Sequence, residues 1–151
     1  MKKYLYLCIA ALALAACDKE HHDNDHDDDR DYIGTMTVTS LTDPADTRDW
    51  AGQEFEVEYE RDGTITLRLD HVRFVEQMPL PLDMDFPGIG YTTTPSGVLL
   101  TSERLVPRIA GRPYEQYAVT SLTGTASALR LDVEFHCMGY RVVYTGYPKH
   151  D

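Results

Sequence analysis

In residues 55–60, Phe55-Glu56-Val57-Glu58-Tyr59-Glu60, apolar and acidic side chains alternate without a break. An extended strand points successive side chains to opposite faces, so it sorts this pattern into one apolar and one charged face. Arg61-Asp62-Gly63 follows, and Ile65, Leu67 and Leu69 resume the alternation. Asp-Gly between two alternating runs is a strong hairpin signal, because a tight hairpin turn needs positive φ. After Leu69 the apolar residues move to even positions, Val72 and Phe74, which predicts a bulge near Asp70-His71. Leu129, Leu131, Val133 and Phe135 alternate with Arg130, Asp132 and Glu134. Met138-Gly139 reads as a turn, and Tyr140, Val142 and Tyr144 as a last strand. Further strands are expected in residues 33–41, 98–102 and 117–123.

Helical signals are few. Asp43-Pro44 opens at most one turn, ending before Gly52. Residues 102–111 begin like a helix, but Pro107 interrupts them. Seven to nine short strands with one apolar face each make an all-β sandwich or a closed barrel, and closure removes aggregation-prone edges. Residues 78–91 differ from the rest. Met78, Leu80, Leu82, Met84 and Phe86 share one face, opposite Pro79, Pro81, Asp83 and Asp85. Proline donates nothing to a ladder, so an edge strand or a strand-like flap near a barrel mouth is expected. Two methionines make its apolar face adaptable, as in the wall of a ligand pocket. Ordinary core packing under a long connection is the simpler reading of the same residues.

The amino terminus gives a location. Lys2 and Lys3 precede an apolar run from Leu5 to Leu14, too short to cross a bilayer as a stable helix. Residues 1–16 therefore read as a signal peptide. Leu14-Ala15-Ala16-Cys17 resembles the bacterial lipobox, in which small residues fit the peptidase cleft and the thiol accepts a diacylglycerol. Lipidation is expected at Cys17, and at about 0.8 kcal/mol per buried CH₂ two or three acyl chains anchor a protein firmly. Residues 18–31 hold eight acids against Lys19 and Arg30 and no apolar side chain, a composition that stays extended and unstructured as a spacer. An acidic run directly after such a cysteine resembles the surface-export signal of Bacteroidetes lipoproteins. Under the enterobacterial sorting rule, Asp18 implies inner-membrane retention instead. His21, His22 and His26 sit among aspartates, ligand types that suit Zn²⁺, Ni²⁺ or Cu²⁺, but without a fixed ligand spacing.

The chain carries a net charge of −11. Phosphate binding needs clustered Lys and Arg, so a nucleic-acid partner is not expected. Cys8 and Cys17 lie in the leader and at its end, which leaves Cys137 alone and no disulfide framework. Hydrophobic burial has to hold a domain spanning residues 32–151. No G-x-S-x-G, H-E-x-x-H, P-loop or paired CxxC occurs, so no catalytic residue and no cofactor is assigned. His136 and Cys137 are neighbours on a strand and face opposite ways, which rules out a dyad between them. Cys137 shares the register of Val133 and Phe135 and reads as a core thiol. His71 beside Asp70 reads as a polar contact, and Asp83 and Asp85 as a solvated face, with a hard cation such as Ca²⁺ as the alternative.

The hairpin around Asp62-Gly63, the stretch 74–89 with Met78-Pro79 and Pro87-Gly88, and the pattern from Leu129 to Tyr144-Thr145-Gly146 resemble the calycin-like (lipocalin-like) domain of Bacteroidetes lipoproteins. The resemblance implies an antiparallel up-and-down β-barrel of about eight strands that binds a small apolar or amphipathic ligand. The chain departs from lipocalins in lacking Gly-x-Trp on the first strand, since Trp50 follows Asp49 in a loop-like segment, and in ending at the last strand. The expectation is thus a non-enzymatic outer-membrane lipoprotein, exposed at the cell surface, held to the membrane through Cys17. Its partner is a small ligand in the barrel or, alternatively, another envelope protein, with metal capture by His21, His22 and His26 as a third course.

Overall fold

The computed structural model describes residues 29–74 and 78–150. In chain order these form β1 (Arg30–Ser40), β2 (Thr47–Tyr59), β3 (Ile65–Val72), β4 (Leu82–Thr94), β5 (Gly97–Leu105), β6 (Arg108–Ile109) and β7 (Arg112–Pro113). A single 3₁₀ turn (Glu115–Tyr117) leads to β8 (Val119–Ala126), β9 (Leu131–Cys137) and β10 (Tyr140–Pro148). Each long strand is antiparallel to the next, β5 passes to β8, and β10 returns to β1 in register from Tyr32↔Pro148 to Ser40↔Tyr140. The result is a closed eight-stranded up-and-down β-barrel. Of the two architectures open to the sequence, the barrel forms because β1 and β10 find each other along their full length.

The alternating runs behave as their period dictates. Phe55 and Val57 on β2 and Ile65, Leu67 and Leu69 on β3 are buried, with Glu54, Glu56 and Glu58 on the outside. Asp62-Gly63 closes the hairpin, with Gly63 at φ +84° and the Asp62 carboxylate accepting from the Thr64 N–H at 3.0 Å. The bulge expected at Asp70-His71 is present. The β3–β4 register slips between Leu69 and Val72, His71 sits at φ +51°, and Val72 and Phe74 turn inward. Met138-Gly139, both at positive φ, turns β9 into β10.

Several local expectations are corrected. Asp43-Pro44 opens no helix, because its turn is spent joining β1 to β2. β2 starts at Thr47 and runs straight through Trp50, which is therefore a strand residue opposite Met36. Residues 102–111 are not helical: β5 continues to Leu105, and Pro107 leads into the β6–β7 hairpin, turned by Ala110 and Gly111 at positive φ. Leu129 does not join the alternation of β9. It sits in the β8–β9 turn, 79% exposed. The domain also begins earlier than residue 32, since Arg30 and Asp31 already pair with Val57 and Glu56 of β2. Strand pairing overrides the polarity of those two residues, because a ladder needs only backbone groups.

Residues 78–91 are not an edge strand. Met78, Pro79 and Leu80 lie in bends ahead of β4, and β4 pairs with β3 from Leu82 to Ile89 and with β5 from Gly90 onward. Both early prolines precede the ladder, and Pro87 falls in a bulge with Gly88 (φ +71°), so none removes a needed donor.

The inner faces interlock across the barrel axis. Phe86 of β4 meets Phe135 of β9 edge to face at 5.1 Å between centroids, although β5 and β8 lie between those strands in the wall. Phe74 reaches the same ring at 5.8 Å. Phe55 stacks on Tyr144 at 3.8 Å, and the Tyr144 hydroxyl donates to the Gln53 carbonyl at 3.0 Å. Aromatic pairs of this kind add about 0.5–1.5 kcal/mol beyond the area they bury.

The meander gives the barrel two unlike ends. At the near end, β1 begins beside three short turns, at residues 61–63, 95–96 and 127–130, and β10 finishes there. At the far end lie the longer connections, with residues 41–46, 73–74 and 78–81, and 106–118, and the tight Met138-Gly139 turn.

Candidate functional site

The far end carries half of the large exposed hydrophobic side chains among the described residues; the other half, Ile33, Leu99, Leu129 and Tyr147, lie toward the near end. Leu41, Leu80, Tyr114 and Met138 lie on its four connections and are 37–67% exposed. Three of the connections, 41–46, 106–118 and the Met138-Gly139 turn, are held together. The Leu41 N–H donates to the Gly139 carbonyl at 3.0 Å, Tyr114 lies against Tyr117, and the Cys137 thiol donates to the Tyr117 carbonyl at 3.5 Å. Anchored loops on a rigid barrel hold their exposed side chains in place at little entropic cost on binding.

The five residues expected to form a flap part company here. Met78, Met84 and Phe86 are fully buried and fill the barrel; Leu82 is half-buried; only Leu80, at 67% exposure, faces solvent. The Phe74 N–H donates to the Met78 sulfur at 3.2 Å, which holds the segment down onto the core. The alternation in the sequence is broken by the bends at residues 78–80, and that is why one face becomes two. On β2, the indole N–H of Trp50 and the side-chain carbonyl of Gln53 are buried without a hydrogen-bond partner among the described residues. Unpaired buried polar atoms are costly, so a group that reaches them gains most by pairing there.

Cys137 and His136 face opposite ways, Cys137 buried and His136 half-exposed. Burial pushes the Cys137 thiol up to about 12, which removes the thiolate needed for nucleophilic work. Iodoacetamide at about pH 8 should leave Cys137 unlabelled in the folded chain and label it on denaturation. Mass mapping of that cysteine checks this, and labelling of the native chain at the rate of a free thiol would refute it.

His71 pairs with Asp83 rather than Asp70. Its backbone N–H donates to Asp83 Oδ1 at 2.8 Å and its Nδ1 lies 3.0 Å from the same oxygen. Asp85, on the same outer face, lies 3.6 Å from Arg68. Among the described residues, no three His, Cys, Asp or Glu side chains are placed to share a metal ion. Cys17, His21, His22 and His26 lie outside the described residues.

Asp70 belongs to an acidic strip with Asp31, Glu54 and Asp83. Partial burial, then the charges of Asp83 and Glu54, hold its carboxyl above the usual carboxylate range, against a smaller opposing effect of His71. Glu56 is raised likewise, by burial first and then by Asp31. A raised folded-state value means that the folded chain holds the proton more tightly than the unfolded chain. The stabilisation is full below the unfolded carboxylate range and is lost as pH rises through the raised value. Asp70→Asn should therefore raise the melting temperature at neutral pH and leave it unchanged in strong acid. Thermal melts at both pH values check this; a lower melting temperature at neutral pH would refute it.

Sequence reasoning finds the buried alternation but misses Leu41, Tyr114 and Met138, because a single apolar residue in a connection carries no period. Compared with protein-family models, curated proteins and solved structures, this chain matches none.

Proposed function

We propose that this chain is a lipid-anchored, non-enzymatic binding module of a bacterial cell envelope, tethered through Cys17 and engaging another envelope protein with the far end of its barrel. The observation that carries the reading is the placement of Leu41, Leu80, Tyr114 and Met138 on tied-down connections, opposite the end at which the amino-terminal segment joins the barrel. An anchor at one end leaves the other directed away from the membrane. The acidic run 18–28 serves as spacer and surface-export signal, in keeping with its resemblance to Bacteroidetes lipoproteins. The interior supports this choice over an apolar ligand inside the barrel, because such a ligand has to displace the contacts that Phe135 makes with Phe74 and Phe86.

A second reading keeps a small amphipathic ligand, moved from the barrel axis to the wall near Trp50 and Gln53. The unpaired indole N–H and amide oxygen favour it, since a ligand presenting one acceptor and one donor satisfies both.

Photoreactive side chains at Leu80 and at Leu129, in cells making the full chain, separate these readings. A protein cross-linked from position 80 and not from 129 is the expected result. No cross-link from position 80, together with a discrete small mass on the purified chain that Trp50→Phe abolishes, favours the second. The anchor has its own check: an alkyne fatty acid fed to the cells should label the chain, and Cys17→Ser should abolish the label. Persistent labelling of Cys17→Ser would sink the lipidation proposal.

A further inference from the structure

A cleft of about 680 Å³ lies on the outer wall, between the β2–β3 hairpin and the short strand β6. Its floor includes Thr66, which points outward from β3 yet is only 8% exposed, and the Pro87-Gly88 bulge. No heavy atom lies within 4 Å of where a side chain at Gly88 would stand, so the backbone there is open to a ligand.

The charges in the cleft are unequally engaged. Glu58 is paired with Arg68 at 3.0 Å. Asp62 accepts from the Thr64 hydroxyl at 2.6 Å and Asp29 from the Tyr59 N–H at 3.0 Å. Arg61 and Arg108 line the same cleft and make no ion pair or side-chain hydrogen bond among the described residues. Two unpaired guanidinium groups in one cleft are unusual on a chain of net charge −11, where carboxylates outnumber cations. A guanidinium matches a carboxylate with two parallel N–H donors. A compact, highly charged anion meets repulsion from the four carboxylates of the cleft, Asp29, Glu58, Glu60 and Asp62. A ligand that carries one carboxylate among neutral hydroxyls meets far less, and its hydroxyls find partners in Thr64, Thr66 and Glu60.

We infer that this cleft is a binding site for a carboxylated, hydroxyl-rich ligand, the chemistry of a uronic-acid unit of a saccharide, with Arg61 and Arg108 taking the carboxylate. The site does not depend on a protein partner at the far end.

The test is a titration of a maltotriose derivative whose non-reducing terminal glucose is replaced by glucuronate, a trisaccharide with a single carboxylate, into the full, isotope-labelled chain in mild detergent, followed by backbone amide shifts. Saturable shifts at Thr64, Thr66 and Gly88 are expected. Arg61→Gln and Arg108→Gln should each weaken binding by about tenfold while leaving the rest of the spectrum unchanged, as for loss of one charge-assisted contact. Maltotriose, of the same length but uncharged, should bind at least about tenfold more weakly. The inference is overturned by the absence of saturable shifts, by equal binding of maltotriose, by inorganic phosphate binding as tightly at the same amides, or by arginine variants that bind like the parent chain.

Discussion

Phe135→Ala is expected to destabilise the barrel by about 3–5 kcal/mol, the cost of truncating a large buried ring with its cavity. Phe135 is fully buried and meets Phe74 and Phe86, so one substitution removes two aromatic contacts across the axis. For a domain of this size the melting temperature should fall by roughly 10–20 °C. The cavity also makes a functional point. Benzene should raise the melting temperature of Phe135→Ala and leave that of the parent chain unchanged, because a dry apolar void of ring size accepts a guest of that size. Leu129→Ala, in an exposed turn, is the control and should change stability by no more than about 0.5 kcal/mol. An equal benzene-induced rise for the parent chain would return the ligand to the barrel interior.

Gly34→Ala should cost about 3 kcal/mol or more, for a different reason. Gly34 of β1 stands opposite Gly146 of β10, in the seam that closes the barrel. A Cβ at Gly34 overlaps the Thr145 carbonyl oxygen and comes within 2.5 Å of the Gly146 Cα, which are backbone atoms that no rotamer change moves aside. The Tyr144 ring occupies the space over Gly146 in the same way, stacked on Phe55. The two glycines therefore let the seam close beneath an aromatic ring. Gly52→Ala is the informative comparison. Gly52 sits at φ +68° with nothing within 4 Å of where a Cβ would stand, so only backbone strain of about 1–2 kcal/mol applies. Urea denaturation of both variants ranks the two costs; Gly34→Ala as mild as Gly52→Ala would refute the close-packed seam.

Both predictions concern contacts that lie beyond local patterning. The β2–β3 hairpin, the bulge at Asp70-His71 and the β9–β10 turn are legible in the sequence because period-two alternation and positive-φ turn residues are local properties. Register alone places Cys137 in the core. The helix-like start of residues 102–111 misleads, because local propensity there yields to the pairing of β5 with β8 as far as Leu105 and Val119. The flap misleads for a related reason. Alternation extended through Pro79 and Pro81, where the chain bends, puts Leu80 and Met84 on one face, although one is exposed and the other buried.

The sequence by itself determined that the chain is built of strands, where most of them turn, and which of their faces are apolar, since each follows from the order of neighbouring side chains. Only the tertiary structure decided that the sheet closes on itself, that Phe86 and Phe135 meet across its interior, and that Arg61 and Arg108 share a cleft. Those are contacts between residues far apart in the chain, set by strand register and barrel closure, and a period of two carries no information about them.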